Sequence, residues 1–127
     1  MIGSEPTMIG LSDVAHGLLL QMKVEKSLAE MADGYRLALS LALFRGIVPP
    51  EIAAPRKTIF SVATIDPDQE VAAAIRALMD LDGGSVYRMA ERLAEWGIHE
   101  MASQFEGGPL DVAKLLEGAL PRADKSP

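Results

Sequence analysis

Any chemistry in this 127-residue chain would rest on two histidines, two closely spaced aspartates and two glycine pairs. His16 and His99 each lack a second histidine at ligand spacing, so neither opens a zinc site, and each reads as a partly exposed helix residue. Asp66 and Asp68 offer oxygens to a hard cation, but IDPDQEVAAAIR has no calcium-loop glycine and no distal glutamate at the required position. Gly83-Gly84 and Gly107-Gly108 follow no clear strand and form no phosphate-binding fingerprint, so they read as turns. Cysteine is absent, which removes a thiolate nucleophile, a disulfide framework and a thiolate metal site together. No catalytic residue, metal or cofactor is therefore expected, and the chain reads as a binding protein and not an enzyme.

Binding is the remaining source of function, and its candidates are basic. Lys23 and Lys26 end the first expected helix, Arg36 lies early in the second, and Arg45, Arg56 and Lys57 flank a proline loop. Brought together, these six would meet phosphates; kept apart, they are solubilising surface and favourable cations at helix C-termini. Trp96 lies beside the apolar stripe of its helix, where core packing is the ordinary role and base stacking the functional one. Glu91 and Glu95, four residues apart, read as a solvated helix face and not as a paired-carboxylate site.

These residues have to be positioned by a mostly α fold. TMIGLS, residues 7–12, reads as a short strand leading through Ser12 and Asp13 into a helix with Val14, Leu18, Leu19 and Met22 on one side. A break at Lys26-Ser27 precedes a short helical turn, a joint at Asp33-Gly34, and a longer helix that stops at Gly46. Residues 37–44 leave almost no polar face, so this helix must be covered all round, and a two-fold dimer is one way to do it. The expected dimer contacts are Ile9, Leu11, Tyr35, Leu39 and Leu43.

IVPPEIAAPRK holds three prolines and reads as an extended connector, followed by a short strand or extended segment at TIFSVAT. Asp66 and Pro67 predict a helix N-terminus, with Val71, Ala74, Ile75 and Leu78 facing inward. Ser85 caps a last long helix whose stripe is Val86, Met89, Ala90, Leu93, Gly97 and Met101. A short helix from Pro109 or Leu110 to about Glu117 and a frayed tail complete the chain. The whole is expected to be one domain: a strand–helix–helix unit at 7–46, a connector at 47–65, a helical extension at 66–118 and a tail at 119–127.

The apolar fraction of 49% is enough for a core, no run is long enough to cross a bilayer, and no signal peptide is evident. A soluble, cytoplasmic protein is the expectation. The net charge of −6 is unevenly placed: residues 1–57 hold six basic and six acidic side chains, so the whole surplus falls in residues 58–127. A uniformly cationic nucleic-acid binder is thereby excluded.

The order strand, helix, turn, buried helix across residues 7–46 resembles a ribbon-helix-helix unit, whose paired strands in a dimer can enter a DNA groove. YRLALSLALFRGIVPP followed by IFSVATIDPDQEVAAAIRAL is similar in layout to the DndE family of bacterial DNA phosphorothioation systems. That resemblance implies a helical core and an association with DNA through Lys23, Lys26, Arg36 and Arg45. The resulting expectation is a non-catalytic homodimer that serves a bacterial DNA modification, defence or regulatory system. The alternative is an antitoxin-like or scaffold subunit whose acidic back half binds a partner protein and not DNA.

Overall fold

The computed structural model describes residues 5–25, 30–53 and 56–104. Lys26, the Gly107-Gly108 turn, the expected short helix near Glu117 and the tail lie outside the described residues. The chain is mostly helical, in the order β1 (Met8–Ser12), α1 (Asp13–Glu25), α2 (Met31–Phe44), β2 (Arg56–Ser61), α3 (Val62–Ile65), α4 (Glu70–Leu78) and α5 (Val86–Gln104).

Local chemistry explains most element boundaries. Ser12 Oγ accepts the Ala15 amide at 3.1 Å and opens α1. Ser61 does the same for Thr64 at 3.1 Å, so the apolar segment that began as β2 turns into α3 instead of continuing as a strand. Asp66 caps α4 from a distance: Pro67 and Asp68 form a turn, Gln69 takes a left-handed φ of 60°, and the Asp66 carboxylate receives the Val71 and Ala72 amides at 2.9 and 3.0 Å. Asp33-Gly34 is no joint; both residues lie inside an uninterrupted α2. Ala72 and Ile75 form the buried side of α4, while Leu78, expected to face inward, is exposed.

The core forms around α2 and α5. Gly97 lets them close: a Cβ there would lie 2.0 Å from the Ala38 carbonyl oxygen. The α5 stripe of Val86, Met89, Ala90, Leu93, Gly97 and Met101 is buried throughout, as its spacing predicts. The outer elements α1, β1 and α4 also pack on α5.

The covering of α2 among the described residues comes from the same chain, and the residues expected at a dimer contact pack in its core. Ile9, Leu11, Tyr35 and Leu39 are at most 1% exposed, and Leu43 is partly buried against the same core. A second copy would have to open the core to reach them. The strand pairing is internal as well. β1 pairs antiparallel with β2 of the same chain, with Ile9 opposite Phe60, Gly10 opposite Thr58 and a bulge between the two pairs. At Gly10 the strands approach so closely that a Cβ would fall 1.8 Å from the Lys57 carbonyl oxygen.

Candidate interaction surface

The edge of β1 that a ribbon dimer would use is filled by side chains. Glu91 Oε2 accepts the Gly10 amide at 2.9 Å, and Glu95 Oε1 accepts the Ser12 amide at 3.0 Å. The Tyr35 hydroxyl donates to the Gly10 carbonyl at 3.1 Å. Four-residue spacing on α5 places the two carboxylates about one helical turn apart, which matches the two-residue repeat of a strand laid along the helix. A third strand is thus replaced by two glutamates and a tyrosine. Burial is what drives the Tyr35 phenol well above its ordinary value, and the charges of Glu91 and Glu95 add to it.

Glu91 corrects the reading of this pair as a solvated face, since it is 2% exposed. It survives burial because it is compensated: Arg56 Nε reaches both its oxygens at 2.9 and 2.8 Å, and Arg88 Nη1 reaches Oε1 at 3.1 Å. Glu95 sits between a serine and a histidine, 2.6 Å from Ser12 Oγ and 3.2 Å from His99 Nε2. The carboxylate separates the other two groups, whereas a nucleophilic relay needs the imidazole beside the hydroxyl. Ser12 is engaged as a helix cap and is not primed for attack.

Among the described residues, three of the expected DNA-contact side chains, Arg36, Arg45 and Arg56, are engaged by carboxylates of their own chain. Arg36 donates to Asp33 at 2.7 Å and to the Thr64 carbonyl at 2.9 Å. Arg45 pairs with Glu100 at 2.8 Å and stacks 5.8 Å above the Trp96 ring, so one ring face already carries a guanidinium. Arg56 is held by Glu91. Lys57, next to it on β2, is exposed, and Lys23 is half-buried in the last turn of α1. The Arg88–Glu91–Arg56 cluster is the nearest approach to a shared cationic surface, and sequence reasoning missed both Glu91 and Arg88 in it. Nothing in α5 alone signals the burial of Glu91, because its further partners, Gly10 and Arg56, come from β1 and β2.

A cavity of about 620 Å3 lies where the N-termini of α4 and α5 meet, lined by Glu5, Ser61, Asp66, Arg76 and Tyr87 among others. Its acids are occupied by the fold. Glu5 accepts the Val86 and Tyr87 amides at 3.1 and 3.2 Å and a short bond from Ser85 Oγ, while Asp66 also accepts the Tyr87 hydroxyl at 2.7 Å. Burial, together with that bond to Asp66, pushes the Tyr87 phenol up to about 12. Among the described residues no three His, Asp or Glu side chains gather into a metal-binding group, and no helix is long and apolar enough to cross a membrane.

Compared with known protein families, curated proteins and solved structures, the chain matches none. Its surface therefore has to be read from its own chemistry. The exposed large apolar side chains include Val14, Leu20 and Val24 on α1, Phe44 at the end of α2, Val48 after it, and Leu78 on α4.

The Arg45–Glu100 link predicts a specific acid response. The Arg45 guanidinium holds the Glu100 carboxyl below its ordinary value of 4.5, against the opposing effect of burial. Burial alone would raise Glu5, but the Ser85 hydroxyl and the α5 amides outweigh it and leave Glu5 lowered too. A carboxyl lowered in the folded state contributes stability that is fully present above 4.5 and is lost as pH falls through the folded value. Glu100→Gln should therefore lower Tm at neutral pH and flatten the fall of Tm below 4.5; an unchanged acid limb would remove the link from the stability of the fold.

Proposed function

We propose that this chain is a non-catalytic protein-interaction module and that it does not act by gripping DNA. The observation that carries this reading is the fate of the arginines: Arg36, Arg45 and Arg56 each bind a carboxylate of their own chain. A phosphate would have to displace those carboxylates, and Glu91 is buried where its loss would leave the Gly10 amide unpaired. The ribbon that would enter a groove is also absent from this arrangement, because β1 has β2 on one side and α5 carboxylates on the other. What the chain leaves for a partner is apolar side chains and the unpaired acids Asp68, Glu70, Asp80 and Asp82 around α4, none of which joins an ion pair among the described residues.

One observation favours the competing DNA reading. Arg56 and Arg88 share the single charge of Glu91, and Lys57 lies exposed beside them, leaving a local surplus of positive charge. Fluorescence anisotropy of a labelled short duplex, titrated with the protein at low and moderate salt, separates the two. The module reading predicts no saturable rise at either salt. A salt-sensitive rise that Lys57→Glu abolishes would replace it with the DNA reading.

A further inference from the structure

Helix α1 is apolar on both sides. Ala15, Leu19 and Met22 are buried and anchor it to the core, while Val14, Leu20 and Val24 on the outer side are 64%, 44% and 80% exposed. The centre of that outer face is the row Asp13, Gly17, Leu20, Val24, whose spacing of four, three and four residues is that of a two-helix seam. Gly17 is not required by the fold. Nothing lies within 4 Å of the position its Cβ would take, and its backbone is not left-handed. Alanine would form the helix better at this position. The glycine leaves a hole on an open face, and Leu20 is a knob one turn away.

We infer that the outer face of α1 binds the same face of a second copy of this chain, antiparallel, with the two-fold axis passing between Gly17 and Leu20. This rests on the reading of the chain as a protein-interaction module and names the partner. The symmetry sets each Leu20 over Gly17 of the other copy, twice, and each Val24 against the turn that holds Asp13 of the other copy. Charge agrees with that direction: α1 has Asp13 in its first turn and Lys23 in its last, and the antiparallel pairing brings them together at both ends. A parallel pairing would set Asp13 against Asp13. A helix of 13 residues spans only about 20 Å, so the contact lies at the small end of specific interfaces, and monomer and dimer should exchange at concentrations on the order of micromolar.

Sedimentation equilibrium on the full chain over a wide concentration series tests this. The wild type should pass from monomer to dimer. Leu20→Glu and Gly17→Leu should each weaken association at least tenfold without lowering the thermal midpoint at concentrations where the wild type is monomeric, because neither position belongs to the monomer core. Lys23→Glu should weaken it, and Asp13→Lys added to that variant should restore it. Wild-type protein that stays monomeric at every concentration, or a dimer indifferent to these substitutions, overturns the inference. A monomer that loses thermal stability on Leu20→Glu also overturns it, by showing that another part of the same chain covers α1. These outcomes leave the module reading standing, whereas duplex binding removes that reading whatever the oligomeric state.

Discussion

Gly97→Ala is expected to cost about 3 kcal/mol or more, a large part of the stability of a domain this size. The added Cβ would meet the Ala38 carbonyl oxygen at 2.0 Å, its carbon at 2.5 Å and the Ala38 Cα at 2.8 Å. All three are backbone atoms inside α2, so no rotamer change relieves the clash, and α2 and α5 must separate. That separation loosens the seam that buries Leu39, Ala42, Leu93, Ile98 and Met101. Urea denaturation should show a much lower midpoint with little change in slope. Gly17→Ala is the internal control: in the monomer it places a methyl group in open space on a helix, and at concentrations where the chain is monomeric it should raise stability by about 1 kcal/mol. Two helix glycines of one protein should thus respond with opposite signs, and a neutral Gly97→Ala would mean that the close helix contact is absent.

Glu91→Ala should cost about 3–5 kcal/mol, the usual penalty for removing one member of a buried charge cluster. It strands the buried Gly10 amide and leaves Arg56 and Arg88 with no anion between them. The arginines are 32% and 45% exposed and can turn toward water, which places the expected loss near the lower end of that range. Glu91→Gln retains an oxygen for the Gly10 amide and should lose less, and Arg88→Ala should lose under about 1 kcal/mol because that pair is half in solvent. The ranking Ala, then Gln at position 91, then Arg88→Ala is the diagnostic result in equilibrium denaturation. A small effect of Glu91→Ala would show that the carboxylate does not hold the strand.

Local signals in the sequence were reliable where the structure depends on local chemistry. The α5 stripe and the Ser85 cap follow from spacing and side-chain hydrogen bonding within a few residues, whereas Arg56 and Lys57, read as the end of the proline connector, belong to β2. The Asp66 cap was legible too, though the intervening turn moved the start of α4 to Glu70. Non-local partners were not legible. The apolar surround of α2 shows that it must be covered, but only the fold shows that α5 and α1 pack against it. Glu91 and Glu95 have the pattern of a wet helix face because nothing in α5 records that β1 lies along it. Arg45 and Arg56 display their charge in the sequence but not the distant carboxylates of Glu100 and Glu91 that neutralise them. The seam on α1 was obscured because Leu18 and Leu19 drew attention to the inner side, leaving Gly17, Leu20 and Val24 without an evident role.

The most direct test of the account is a residue-resolved map of the isotopically labelled protein by heteronuclear NMR, first over a protein concentration series and then with a short duplex. The account predicts concentration-dependent shifts confined to the outer face of α1, at Asp13, Gly17, Leu20, Lys23 and Val24, and no response at Arg56, Lys57 or Arg88 when duplex is added. Duplex-dependent shifts along β2 and Arg88, with α1 unchanged by concentration, would contradict it.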